Sequence, residues 1–192
     1  MTIKNWKKEI WSIPNLLSLF RLVLIPVYIL IYLNATEPAH YFIAGGILAI
    51  SCLTDLIDGK IARHFHMITP VGKLLDPIAD KLTQLVLTIS LSLRYPMMRT
   101  VLVLFLVKEV FQSVAALIHY RNGKALDGAL PSGKVCTAVL FSSMIILVVF
   151  PSLDLRIVGT LVSLDSLFLM ITFVQYVFAF FGKNSKVQDI ET

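Results

Sequence analysis

At 192 residues, 57% hydrophobic and 15% charged, with a mean hydropathy of +0.81, the chain is too apolar for a soluble domain or a disordered segment. By composition it is an integral membrane protein, long enough for about six or seven spans of roughly 20 residues and too short to add a soluble domain. The net charge of +5 does not point to nucleic acid, because no basic groove with interleaved aromatics is present; such chains gather Lys and Arg on cytoplasmic loops and near anionic head groups.

In chain order, Ile3, Trp6, Ile10 and Trp11 recur at helical spacing while Lys4, Lys7 and Lys8 take the remaining surface, which predicts an interfacial amphipathic helix over residues 1–13. Six apolar runs follow, at roughly 15–34, 39–63, 74–95, 98–121, 133–151 and 157–182, bounded by breakers such as Glu37-Pro38, Thr69-Pro70, Tyr95-Pro96, Asn122-Gly123 and Pro151-Ser152. The first is long for a signal-peptide core and is interrupted by Arg21 and Pro26, so it reads as a retained helix. The predicted fold is all-α: a polytopic membrane protein with six transmembrane helices over 14–183 and a cytoplasmic tail over 184–192. Cys52 and Cys136 fall in separate apolar runs and read as buried free thiols. Lys108-Glu109, inside the fourth run, reads either as part of a buried network lining a pocket or as an ion pair that neutralises itself.

With the N-terminus inside, Lys4, Lys7, Lys8, Arg63, Lys73, Arg121, Lys124, Lys134, Lys183 and Lys186 fall on one side and Arg94, Arg99 and Arg156 on the other. Ten against three predicts both termini in the cytoplasm.

The junction of the second and third runs carries Asp55-x-x-Asp58-Gly59-x-x-Ala62-Arg63, eight residues, then Gly72-x-x-x-Asp76-x-x-x-Asp80. Asp55, Asp58, Gly59 and Ala62 stand at i, i+3, i+4 and i+7 on one helical stripe, and Asp76 and Asp80 share a face of the next helix. Unpaired carboxylates at the edge of hydrocarbon are costly, so they mark a site for metals or protons. Oxygen-only ligation points to Mg²⁺ or Mn²⁺ and away from zinc; His64 and His66 nearby read as solvated loop residues. Two such ions are a common apparatus for phosphoryl transfer. A cation transporter or proton pathway is the alternative, but transport sites lie near mid-membrane at broken helices, whereas these acids flank a short loop at one surface. A glycine such as Gly59 in a membrane helix more often serves close helix packing, so by itself it is weak evidence for a site.

The string Asp55-Leu56-Ile57-Asp58-Gly59-Lys60-Ile61-Ala62-Arg63, followed after eight residues by Gly72-Lys73-Leu74-Leu75-Asp76-Pro77-Ile78-Ala79-Asp80, resembles the signature of the CDP-alcohol phosphatidyltransferases, with every fixed position filled. Ile13-Pro14-Asn15-Leu16-Leu17-Ser18-Leu19-Phe20-Arg21 is similar to that family's entrance to the first span, and six helices are its architecture. The resemblance implies a bacterial inner-membrane enzyme, homodimeric, with a cytoplasmic active site, that moves a phosphatidyl group from CDP-diacylglycerol to a hydroxyl and releases CMP. It implies Asp55, Asp58 and Asp76 as ligands of two divalent ions, Asp80 as shared ligand and general base, and a CDP site formed by Asp55, Gly59, Ala62, Arg63 and Gly72. Small residues admit the nucleotide, and Arg63 offers forked donors to phosphate.

Acceptor choice rests on weaker signals. The run Leu74 to Lys81 and Gly133-Lys134-Val135 resemble the branch that uses glycerol 3-phosphate, whose phosphate needs extra cations. Lys81, Arg121 and Lys134 are the candidates, with snorkelling to the head groups as the plainer role for each. Asp127-Gly128-Ala129-Leu130-Pro131-Ser132 departs from that branch, which keeps cardiolipin formation from phosphatidylglycerol as the second reading, ahead of inositol or serine transfer. A small transporter or lipid-binding scaffold is the non-enzymatic alternative.

Overall fold

The computed structural model describes residues 12–64, 70–122, 124–126, 130–181 and 187–189. Among them are six helices: α1 (Ile13–Leu33), α2 (Pro38–His64), α3 (Pro70–Arg94), α4 (Met98–Arg121), α5 (Pro131–Val149) and α6 (Leu155–Phe181). The interfacial helix predicted over 1–13 and most of the tail lie outside the described residues.

Pro38, Pro70 and Pro131 open three of these helices, where a fixed φ is already helical and the missing N–H leaves nothing unsatisfied. Two helix starts are closed by side chains as well. His40 Nδ1 accepts from the backbone N–H of Thr36 at 3.3 Å before α2, and Asp154 accepts from that of Arg156 at 2.8 Å before α6. Among the described residues, four helices are long and apolar enough to cross a membrane, over Asn15–Leu33, Met98–Arg121, Pro131–Val149 and Leu155–Phe181. The chain is therefore an integral membrane protein, and exposed Leu30, Leu93, Leu155 and Phe178 are the surface such a solvent accepts. The other two long helices, α2 and α3, are the pair that carries the four aspartates.

One element departs from the all-α expectation. β1 (Lys124–Leu126) pairs antiparallel with β2 (Val187–Asp189), with Ala125 opposite Gln188. Three residues are too few for an alternating pattern to register, and the partner is more than sixty positions away in sequence.

The chain divides into two compact units, residues 1–91 with 145–152, and residues 92–144 with 153–192. In the first, Leu24 and Tyr28 of α1, Leu48 and Ser51 of α2, and Thr83 and Leu87 of α3 meet around a narrow apolar gap. Tyr28 and Ser90 share a buried hydroxyl–hydroxyl hydrogen bond of 3.0 Å, and Tyr28 stacks on Tyr32, which in turn meets Tyr41 edge-on. Gly45 of α2 lies against Val149 at the end of α5. The hydroxyls of Thr83 and Thr88 donate to the carbonyls of Ala79 and Gln84 one turn back, which satisfies them without water.

In the second unit, Phe111 of α4 meets Phe173 and Phe180 of α6, and His119 lies against Phe180 over a core that includes Ala115, Leu130 and Tyr176. The start of α5 runs against the end of α6: Gly133 faces the Tyr176 hydroxyl, and Cys136 bonds to Thr172 three residues further along. Cys136 is buried and Cys52 half-buried, both as free thiols.

Candidate active site

Asp55 stands on α2, and Asp76 and Asp80 stand one turn apart on α3; all three are partly buried. Gly72, one turn before Asp76, is buried. The side chains at Asp58, Gly59, Ala62 and Arg63 lie outside the described residues, although the helical backbone of α2 runs through them. α2 and α3 bring their acids into one neighbourhood: Asp55 and Asp80 both lie within electrostatic reach of the Cys52 thiol, one turn before Asp55.

Helix α1 supplies what sequence reasoning missed. Asn15, Ser18 and Arg21 follow at intervals of three on one side of an otherwise apolar span, and all are buried, Arg21 to 2% exposure. Arg21 Nη1 meets Asp55 Oδ1 at 2.6 Å, and the Ser18 hydroxyl donates to Asp76 Oδ1. One helix face thus engages one carboxylate oxygen on each of the two neighbouring helices. A signal was present in the sequence, since three polar residues at that interval in a span need an internal partner. The partner's identity was not.

Lys81 is exposed beside Asp80, whereas Arg121 at the end of α4 and Lys134 near the start of α5 are exposed residues of the second unit. In that unit Lys108 Nζ meets Glu109 Oε1 at 2.6 Å, with both side chains largely buried, and both charges also lie within electrostatic reach of the Cys136 thiol. Asp165, in the middle of α6, was not anticipated. It is fully buried, faces Ser143 of α5, and neither of its oxygens has a hydrogen-bond partner within normal distance among the described residues.

The ligating atoms at the α1–α3 site are carboxylate oxygens and a hydroxyl, which suit a hard cation; Arg21 is a charge partner of Asp55 and not a ligand. Among the described residues no three ligating side chains close on one point, and the Asp58 carboxylate is outside them. Acids on two adjacent helices of an integral membrane protein, one of them paired with a buried arginine, are the kind of feature that marks ion or proton sites.

Comparison with known proteins narrows this. The chain belongs to the CDP-alcohol phosphatidyltransferase family, whose sequence profile matches residues 11–180. It is 33% identical over 174 residues to a probable phosphatidylglycerophosphate synthase of Mycobacterium tuberculosis, covering 89% of this chain and 82% of that one. A CDP-diacylglycerol--glycerol-3-phosphate 3-phosphatidyltransferase of Pseudomonas fluorescens is 41% identical over 71 residues, 37% of this chain and 36% of that one. A cardiolipin synthase (CMP-forming) of Homo sapiens is 45% identical over 83 residues, 43% of this chain and 26% of that one.

Proposed function

We propose that the protein transfers a phosphatidyl group from CDP-diacylglycerol to the hydroxyl of glycerol 3-phosphate. The acceptor oxygen forms a bond to the phosphorus that bears diacylglycerol; the bond from that phosphorus to the bridging pyrophosphate oxygen breaks, and CMP leaves with the electron pair. The hydroxyl proton passes to Asp80. Asp55, Asp58, Asp76 and Asp80 are the residues to hold Mg²⁺ or Mn²⁺, which when bound neutralises pyrophosphate charge and lowers the energy of the leaving group. Gly59, Ala62 and Gly72, the small residues of the signature, are assigned with Asp55 to the nucleotide, and Arg63 is assigned to its phosphates as a source of paired donors. Lys81, Arg121 and Lys134 are assigned to the acceptor's phosphate.

The observation that carries this reading is the filled aspartate signature within a family match that covers most of the chain, together with a probable phosphatidylglycerophosphate synthase similar over 89% of it. We assign α2 and α3 as spans alongside the four apolar helices, a homodimer, and a bacterial inner-membrane location with both termini and the site cytoplasmic, the last from the Lys and Arg distribution. The domain limits 14–183, with an interfacial helix over 1–13 and a tail over 184–192, belong to the same proposal. The shared segment with the human cardiolipin synthase supports phosphatidylglycerol as the second acceptor. Purified protein given CDP-diacylglycerol, Mn²⁺ and each alcohol separately decides between them. CMP release with a phosphatidylglycerophosphate product is expected; cardiolipin formation with no use of glycerol 3-phosphate overturns the acceptor assignment.

A further inference from the structure

We infer that α1 is the third wall of the cation site, with Ser18 and Arg21 as positioning residues for Asp76 and Asp55. The two contacts lie on one face of one helix, three residues apart, and each takes the Oδ1 atom of a carboxylate from a different helix. The second oxygen of each carboxylate is assigned to the ions. The two residues do different work. Ser18 is neutral and buried, so its hydroxyl fixes the Asp76 rotamer without opposing a cation. Arg21 is a resident positive charge. It counters Asp55 while the site holds no ion, when carboxylates gathered between helices would otherwise repel, and it gives up part of that role when a divalent ion arrives. The inference rests on the divalent-ion reading of the aspartates and is independent of which alcohol is the acceptor.

Outer partners of metal ligands typically account for about 10–100-fold in affinity. Full-length protein in detergent is titrated with Mn²⁺, free ion being read by electron paramagnetic resonance, and its melting temperature is measured in EDTA and in saturating Mn²⁺. Ser18→Ala is expected to bind Mn²⁺ roughly 10-fold more weakly with little change of melting temperature in EDTA, and Ser18→Thr to recover most of the affinity. Arg21→Gln is expected to melt lower in EDTA and to regain much of the loss in Mn²⁺, with Arg21→Lys in between. Unchanged Mn²⁺ affinity in Ser18→Ala, or an Arg21→Gln loss that is the same with and without Mn²⁺, overturns the inference and reduces both residues to packing. Wild-type protein that binds no Mn²⁺ overturns the metal reading and this inference with it, so the wild-type titration separates the two failures.

Discussion

Gly45→Ala tests how tightly the helix that carries Asp55 is seated. An alanine Cβ there would lie 2.3 Å from Val149 Cγ2, so the valine must retreat by about 1 Å (3.4 − 2.3 Å) to reach ordinary contact. Val149 is β-branched with a stiff χ1, so it has no low-energy rotation to offer. Overpacking of this kind costs about 1–3 kcal/mol, and the upper part of that range applies. Replacing glycine by alanine inside a helix returns roughly 1 kcal/mol. The clash wins, leaving a net loss of about 1–2 kcal/mol and a melting temperature lower by roughly 2–8 °C for a chain of this size. Two companion variants isolate the clash. At Gly46 an added Cβ would meet nothing within 4 Å, so Gly46→Ala should be neutral or slightly stabilising. In a Val149→Ala background the clash disappears, and Gly45→Ala should no longer destabilise. The assay is thermal unfolding in detergent by fluorescence-detected size exclusion. Equal destabilisation by Gly45→Ala in both backgrounds, or by Gly45→Ala and Gly46→Ala alike, would refute a steric origin at Val149.

Asp55→Asn and Asp76→Asn should each lose Mn²⁺ binding and CMP release together; near-normal turnover of either, or full activity in excess EDTA, removes the metal-centred mechanism. Gly59→Leu should raise the donor KM or abolish turnover in protein that still elutes as a folded species, while loss of folding alone would return Gly59 to a helix-packing role. Arg121→Ala and Lys134→Ala should lower kcat/KM for glycerol 3-phosphate by roughly ten- to a hundred-fold, the size of one charge-assisted contact, and spare CDP-diacylglycerol. Equal losses for both substrates would indicate a general electrostatic role. Asp165→Leu removes a buried carboxylate with no partner within normal distance among the described residues, so the protein should gain about 1–3 kcal/mol, measured as a higher melting temperature; a marked loss would mean that this carboxylate has a partner in the working protein.

Hydropathy and spacing by themselves determined the helices and the shared faces within each. The six apolar runs became α1 to α6 with ends displaced by a few residues, because prolines and loop polar residues stop a helix locally. Asp76 and Asp80 fall on one face because a helical period puts residues four apart together, whatever the helix packs against. The tertiary structure alone decided which faces meet. Nothing in the run Asn15 to Arg21 names Asp55 or Asp76 as its partners, nor does the sequence show that Lys108 meets its neighbour Glu109. It likewise hides that Asp165 is buried without a partner within normal distance among the described residues and that Lys124–Leu126 pairs with Val187–Asp189. Helix periodicity is a property of a few consecutive residues, whereas contacts between helices depend on how the whole set of faces is shared out once every polar group must find a partner away from water.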